Sequence, residues 1–217
     1  MAFQLIDRAR WNREPYFMHY MQQSKCTFSM TANLNATTLL ERLRARNMKL
    51  YPAFLYMIVR TAHGDPAFRT SFDDQGRLGY WDRLMPCYTI FHPEDRTFSA
   101  TWTAFDDDFA LFHANYVRDQ ERFGSAKGLW ARPDMPANAI SISSIPWTSF
   151  TGFHLQLYNE GEYLLPIVTG GKYFEDGRNT WLPVSLQVHH AVCDGYHASL
   201  FMNGLQQLAD TCEDWLD

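Results

Sequence analysis

Residues 181–189 alternate strongly, with Leu182, Val184, Leu186 and Val188 falling on one face. A period of two marks a strand with one apolar side. Such a strand needs neighbours to pair with and a layer to cover it, so the chain is committed to a sheet packed against something.

Other segments supply both partners. Residues 26–34 alternate as well, and 78–81, 87–91 and 97–103 read as successive strands, the last two joined by the polar turn Pro93-Glu94-Asp95-Arg96. Residues 140–143, 153–157 and 165–173 are further predicted strands, and Asp73-Asp74-Gln75-Gly76 is a turn. A short helix is expected over 11–21. Asn35 or Thr37 caps a second, carrying Leu39, Leu40, Leu43 and Met48, and a third follows Pro52 through Phe54 and Val59. Asp106-Asp107-Asp108 opens a helix reaching about Phe123, and a last one after Gly195 uses Leu200, Phe201, Leu205 and Leu208. The elements interleave without a regular βαβ rhythm or a glycine-rich nucleotide loop. The expected class is α+β, a two-layer sandwich of a mixed β-sheet with helices packed on it.

With 217 residues, 46% of them hydrophobic, the chain can bury one sizeable core, and no linker or repeat divides it. A single domain over 1–217 is expected. The net charge of −5 comes from interspersed residues, leaving no basic face for nucleic acid. Apolar runs such as 53–59 are too short to cross a bilayer, and Asp7, Arg8 and Arg10 break the N-terminal apolar stretch, so neither a membrane span nor a secretory signal is expected. Cys26, Cys87, Cys193 and Cys212 are irregularly spaced, which fits reduced thiols in a cytoplasmic enzyme.

His189-His190 stands where the strongest strand pattern ends and a helix pattern begins. A rigid strand end aims a side chain into a cleft, and alternation sends the two histidines to opposite faces. An acyl-transfer base must be neutral and close to the attacking hydroxyl, which histidine allows with little tuning. His189, His190 and His197 lack the spacing of a zinc-binding helix, and no cysteine or carboxylate cluster completes a site, so no metal is expected.

The run His189-His190-Ala191-Val192-Cys193-Asp194-Gly195 has the form H-H-x-x-x-D-G. It resembles the motif of the coenzyme A-dependent acyltransferases, which include chloramphenicol acetyltransferases and dihydrolipoyl acyltransferase catalytic domains, and peptide-synthetase condensation domains carry it too. Further motifs recur in order: Trp11-Asn12-Arg13 with Tyr20, Lys49-Leu50-Tyr51-Pro52, Thr97-Phe98-Ser99-Ala100, Ile142-Ser143-Ser144-Ile145-Pro146-Trp147 and Thr169-Gly170-Gly171-Lys172-Tyr173. Together they make the chain similar to the chloramphenicol acetyltransferases from end to end, which implies the coenzyme A-dependent acyltransferase fold.

The resemblance implies direct acetyl transfer from acetyl-coenzyme A to a chloramphenicol hydroxyl, giving antibiotic resistance; a related enzyme with another small hydroxyl or thiol acceptor is the alternative. It makes His190 the general base, its tautomer fixed by its own main-chain carbonyl, with Ser143 the oxyanion donor and Thr169 assisting. Arg13 and Asp194 become a buried, bidentate structural pair at the site. The implied acceptor pocket draws on Tyr20, Cys26, Phe28, Phe98, Ala100, Trp130, Phe153, Leu155 and Ile167, with His19 flanking it where relatives are expected to be aromatic and Trp130 replacing a smaller ring. Trp147, Lys172, Tyr173 and Lys49 are the coenzyme residues. The family is a homotrimer with its sites between subunits.

Overall fold

The computed structural model of the protein describes residues 2–157 and 162–216. Its elements run β1 (Phe3–Leu5), α1 (Glu14–Met18), β2 (Thr27–Asn35), α2 (Thr37–Ala45), α3 (Leu50–His63), β3 (Thr70–Phe72), β4 (Leu78–Trp81), β5 (Met85–His92), β6 (Thr97–Trp102), α4 (Phe109–Phe123), β7 (Ala139–Ile145), β8 (Ile167–Gly171), β9 (Phe174–Asp176), β10 (Asn179–His189) and α5 (Gly195–Asp210). The main sheet has the order β2-β10-β8-β7-β5-β6, with β9 paired to one end of β10, and β1-β4-β3 form a small separate sheet. The β5–β7 and β7–β8 pairs are parallel and the others antiparallel, so the sheet is mixed, as expected.

The alternation in β10 does what its period requires. Leu182, Val184, Leu186 and Val188 are buried in the core with Ile140, Ile142 and Val168 of β7 and β8 and Leu55 and Ile58 of α3. Helix α3 is buried on nearly every side and packs against α4, α5 and β5, while α5 covers β2. The opposite face of the sheet is polar: Thr31, Ser185, Thr169 and Ser143 share one register row.

Several expectations shift. Residues 153–157 form no strand. Their main chain bonds to side chains on the polar face, Ser185 Oγ donating to the Phe153 carbonyl (2.7 Å) and the Leu155 N–H to Gln187 Oε1 (3.2 Å). A segment that lies across a sheet face cannot pair at its edge. Helix α1 starts only at Glu14 and continues as a π-helical turn, His19–Gln23. Neither Asn35 nor Thr37 is the cap of α2. Ala36 holds that position, and Asn35 Oδ1 accepts from the Thr37 N–H and hydroxyl just outside the first turn. Met48 lies beyond α2, where Asn47 takes a left-handed φ of 53° and the Met48 N–H closes back on the Leu43 carbonyl (2.9 Å).

One histidine gives the fold a pH dependence. His63 closes α3, its Nε2 accepting the Leu84 N–H (2.9 Å) and its ring edge-on to Phe105. Burial, above the nearby charges, pushes its pKa from 6.5 down to about 4. A protonated ring could not accept that bond. The unfolded chain takes up the proton first, so stability present above pH 6.5 is expected to be lost as pH falls toward 4. Urea midpoints at about pH 7 and about pH 5 measure this, and His63→Gln, which keeps an acceptor, should show a shallower fall. Equal pH slopes in both proteins would contradict the assignment.

Candidate active site

The chain leaves β10 through a tight turn in which the Val192 and Cys193 N–H groups both donate to the His189 carbonyl (3.1 and 3.0 Å), and the His190 N–H donates to the Cys26 carbonyl of the neighbouring chain segment (2.9 Å). Asp194 ends the turn and caps α5: its Oδ1 accepts from the Tyr196 N–H (3.0 Å) and lies 2.8 Å from His197 Nδ1. Burial works to raise the Asp194 pKa, but the His197 and Arg13 hydrogen bonds outweigh it and hold the carboxyl well below the usual range.

Arg13 ties this turn to the start of α1 across the fold. Its Nη1 donates to Asp194 Oδ2 (3.0 Å), its Nη2 to the His190 carbonyl (3.1 Å) and its Nε to the Ala191 carbonyl (3.0 Å). The pair with Asp194 is therefore neither bidentate nor fully buried. The guanidinium spends one donor on the carboxylate and two on main chain, and the Asp194 side chain stays 38% exposed. A planar fork serves three acceptors that a lysine ammonium could not reach together. Arg13→Lys is expected to cost about 2–4 kcal/mol in urea unfolding; a loss under about 0.5 kcal/mol would show the fork to be dispensable.

The His190 imidazole stacks on Tyr20, centroids 4.0 Å apart and planes 5° off parallel, with Phe28 edge-on at 5.3 Å. Its Nδ1 is buried and has no hydrogen-bond partner among the described residues. The expected bond to its own carbonyl is thus replaced by aromatic packing, and that carbonyl serves Arg13 instead. His189 takes the other face: it is buried, and its Nδ1 accepts the Ala191 N–H (3.1 Å). Burial first, then the neighbouring His190, pushes its pKa down to about 4.

Ser143 and Thr169 face each other in the parallel β7–β8 pair, their hydroxyls 3.1 Å apart, with Thr169 buried and Ser143 half-buried. Ser143 lines a cleft of about 810 Å³ at the C-terminal ends of these strands. Phe98, Trp147, Leu155, Lys172 and Tyr173 share its walls, and Lys49 sits at the N-terminus of α3 beside the lining residues Leu50 and Tyr51. Gly170 is needed in this wall, because a Cβ there would come within 2.9 Å of the Phe54 ring. Tyr51, Phe54, Thr89, Phe91 and Arg96 also line the cleft, and their helix and strand patterns carried no sign of it. Among the described residues the lining holds no carboxylate, although the chain is acidic overall.

The expected site residues thus fall into two groups. Tyr20, Cys26 and Phe28 gather at His190, whereas Phe98, Leu155, Ser143, Trp147, Lys172 and Tyr173 line the cleft and Lys49 sits just outside its lining. Ala100 lies opposite Thr89 on β6 and bridges to Trp130, Phe153 packs near Phe150, and Ile167 is buried on the polar face. Register separates the groups. His190 lies five residues beyond Ser185, the residue level with Thr169 and Ser143, and two strands away, which amounts to roughly 19 Å. Strand parity also puts Ser143 on the polar face and the His190 ring, beside Phe28, toward the helices. Within one chain they cannot meet over one substrate.

Comparison with known proteins identifies the architecture. Residues 1–206 match the chloramphenicol acetyltransferase family. The chain belongs to that family. Among its curated members, chloramphenicol acetyltransferase from Clostridium butyricum is 48% identical over 217 residues, covering 100% of this chain and 99% of the relative. The Staphylococcus aureus enzyme is 46% identical over 216 residues, with 100% of both chains covered. A solved chloramphenicol acetyltransferase superposes with a TM-score of 0.84 at 21% identity, covering 96% of this chain and 100% of its own. Dihydrolipoamide acetyltransferase from Azotobacter vinelandii follows at 0.69 and 19% identity, over 88% and 84% of the two chains. Both show the coenzyme A-dependent acyltransferase fold of the chloramphenicol acetyltransferases. Among the described residues no cluster of three or more His, Cys, Asp or Glu could hold a metal ion, and no helix is long and apolar enough to cross a membrane.

Proposed function

We propose that the protein acetylates chloramphenicol from acetyl-coenzyme A in the cytoplasm, conferring resistance, as a single-domain subunit of a homotrimer with its sites between copies. His190 of one copy takes the proton from the drug's hydroxyl as its oxygen attacks the thioester carbonyl of acetyl-coenzyme A. The carbonyl becomes a tetrahedral oxyanion, and the Ser143 hydroxyl of a neighbouring copy donates to it, with Thr169 supporting that hydroxyl. Collapse of the oxyanion breaks the carbon–sulfur bond, and the departing thiolate receives the proton from the imidazolium. No acyl-enzyme forms.

The observation that carries this reading is the Ser143–Thr169 hydroxyl pair in an apolar cleft, in a chain nearly half identical to named chloramphenicol acetyltransferases. The distance between His190 and Ser143 within one chain supports a shared site. Edge strand β2 carries the His190 surroundings to the rim of the sheet, where a second copy can approach. Tyr20, Cys26 and Phe28 would then close the acceptor pocket against Phe98, Ala100, Trp130, Phe153, Leu155 and Ile167. Trp147, Lys172 and Tyr173 would line the coenzyme tunnel and Lys49 would meet a phosphate, in a cleft whose wall already carries the cations Arg96 and Lys172.

The test is thiol release from acetyl-coenzyme A with and without chloramphenicol. Release that depends on the drug, with one acetyl group gained per thiol freed, is expected. Release with another small hydroxyl or thiol compound but not with chloramphenicol would overturn the choice of acceptor.

A further inference from the structure

The register row that holds Ser143 continues past it. The paired register of β5 and β7 ends at Tyr88 opposite Ile142, so continuing it by one residue brings Thr89 beside Ser143. Ala100 on β6 lies opposite Thr89, and beyond the open edge of β6 the chain returns to form a single parallel bridge at Trp130. The Ala100 N–H donates to the Leu129 carbonyl (2.7 Å) and the Ala131 N–H to the Ala100 carbonyl (2.9 Å). Trp130 therefore stands in the Ser143 row, three strand spacings or about 14 Å away. Its side chain is more than half exposed at that edge. Two hydrogen bonds are a slight attachment for a segment entered through Gly128 at a φ of 99° and left through Asp134 at 61°.

Arg132, two residues on, supplies what the bridge lacks. Its Nη1 donates to the Trp102 carbonyl (2.9 Å) and lies 3.3 Å from Asp119 Oδ2 on α4. Its guanidinium lies over the Trp102 ring at 3.4 Å and 5.3 Å from the Phe123 ring. Asp119 is buried, so its charge needs this partner. One side chain thus joins the returning segment to a fixed strand and a fixed helix.

We propose that Arg132 is a positioning residue: clamped between Trp102 and Asp119, it holds Trp130 at the end of the Ser143 row and so sets how tightly the acceptor binds. The inference rests on the acetyl-transfer reading above. Arg132→Lys is the informative variant, because it leaves Asp119 a cation while losing the planar stack and the fork.

Michaelis constants for chloramphenicol and acetyl-coenzyme A in the wild type, Arg132→Lys, Trp130→Ala and the double variant test it. Each single change is expected to raise the chloramphenicol KM about tenfold, with kcat and the acetyl-coenzyme A KM within about twofold. The double variant should rise no further than the larger single effect, since both changes remove one contact. Multiplying effects in the double variant would overturn the proposal, as would parallel changes in both KM values and kcat. A wild type that fails to acetylate chloramphenicol would sink the functional reading instead. The clamp is then judged by hydrogen exchange of the Ala131 amide, which must quicken in Arg132→Lys; unchanged exchange overturns it.

Discussion

Replacing His190 with alanine is expected to lower kcat between about 10² and 10⁴-fold, the range for loss of a positioned general base. Folding should survive the change. The ring is only half-buried, its Nδ1 makes no hydrogen bond among the described residues, and the turn around it is held by Arg13 and the His189 carbonyl. A fall in turnover with a nearly unchanged melting temperature would therefore report chemistry. Turnover close to wild type would remove His190 from the mechanism. A matched loss of turnover and melting temperature would make the ring structural.

Ser143→Ala is expected to lower kcat by about 10² to 10³-fold while leaving KM for both substrates nearly unchanged. A donor aimed at a developing oxyanion is felt in the transition state and hardly in the ground state. Among the described residues its hydroxyl pairs with Thr169 Oγ1 alone, so the stability cost of removing it is expected to be small. Thr169→Val should have a weaker effect in the same direction. A change confined to KM would mean that Ser143 merely binds substrate.

Some of this was legible in the sequence, for physical reasons. Strict alternation over 181–189 leaves one solution, and β10 adopts it. Alternation over 153–157 is equally real, yet it fits a segment laid across a polar face, because Ser185 and Gln187 offer side-chain partners there. β1, β3 and β9 have three residues each, too few for any period to show. The heptad marked the His190 turn, and its likeness to a family tied Arg13 to Asp194. The motif was silent on how Arg13 divides its donors, since two of them go to main-chain carbonyls that no side-chain pattern reveals. Nor could it show that His190 and Ser143 lie far apart in one chain. That separation is fixed by registers accumulated over three strands. The Arg132–Asp119 pair was hidden because one partner sits in a polar loop with no periodicity.

The central claim, that the base and the oxyanion donor come from different copies, is tested most directly by complementation. His190→Ala and Ser143→Ala chains, each inactive alone, would be co-expressed with different tags and the mixed assemblies captured through both. If sites lie between copies of a trimer, every captured mixed assembly should have about one third of its sites with an intact His190 facing an intact Ser143, and activity should return to about that share of wild type. Captured mixed assemblies with no more activity than the separate variants would contradict the account.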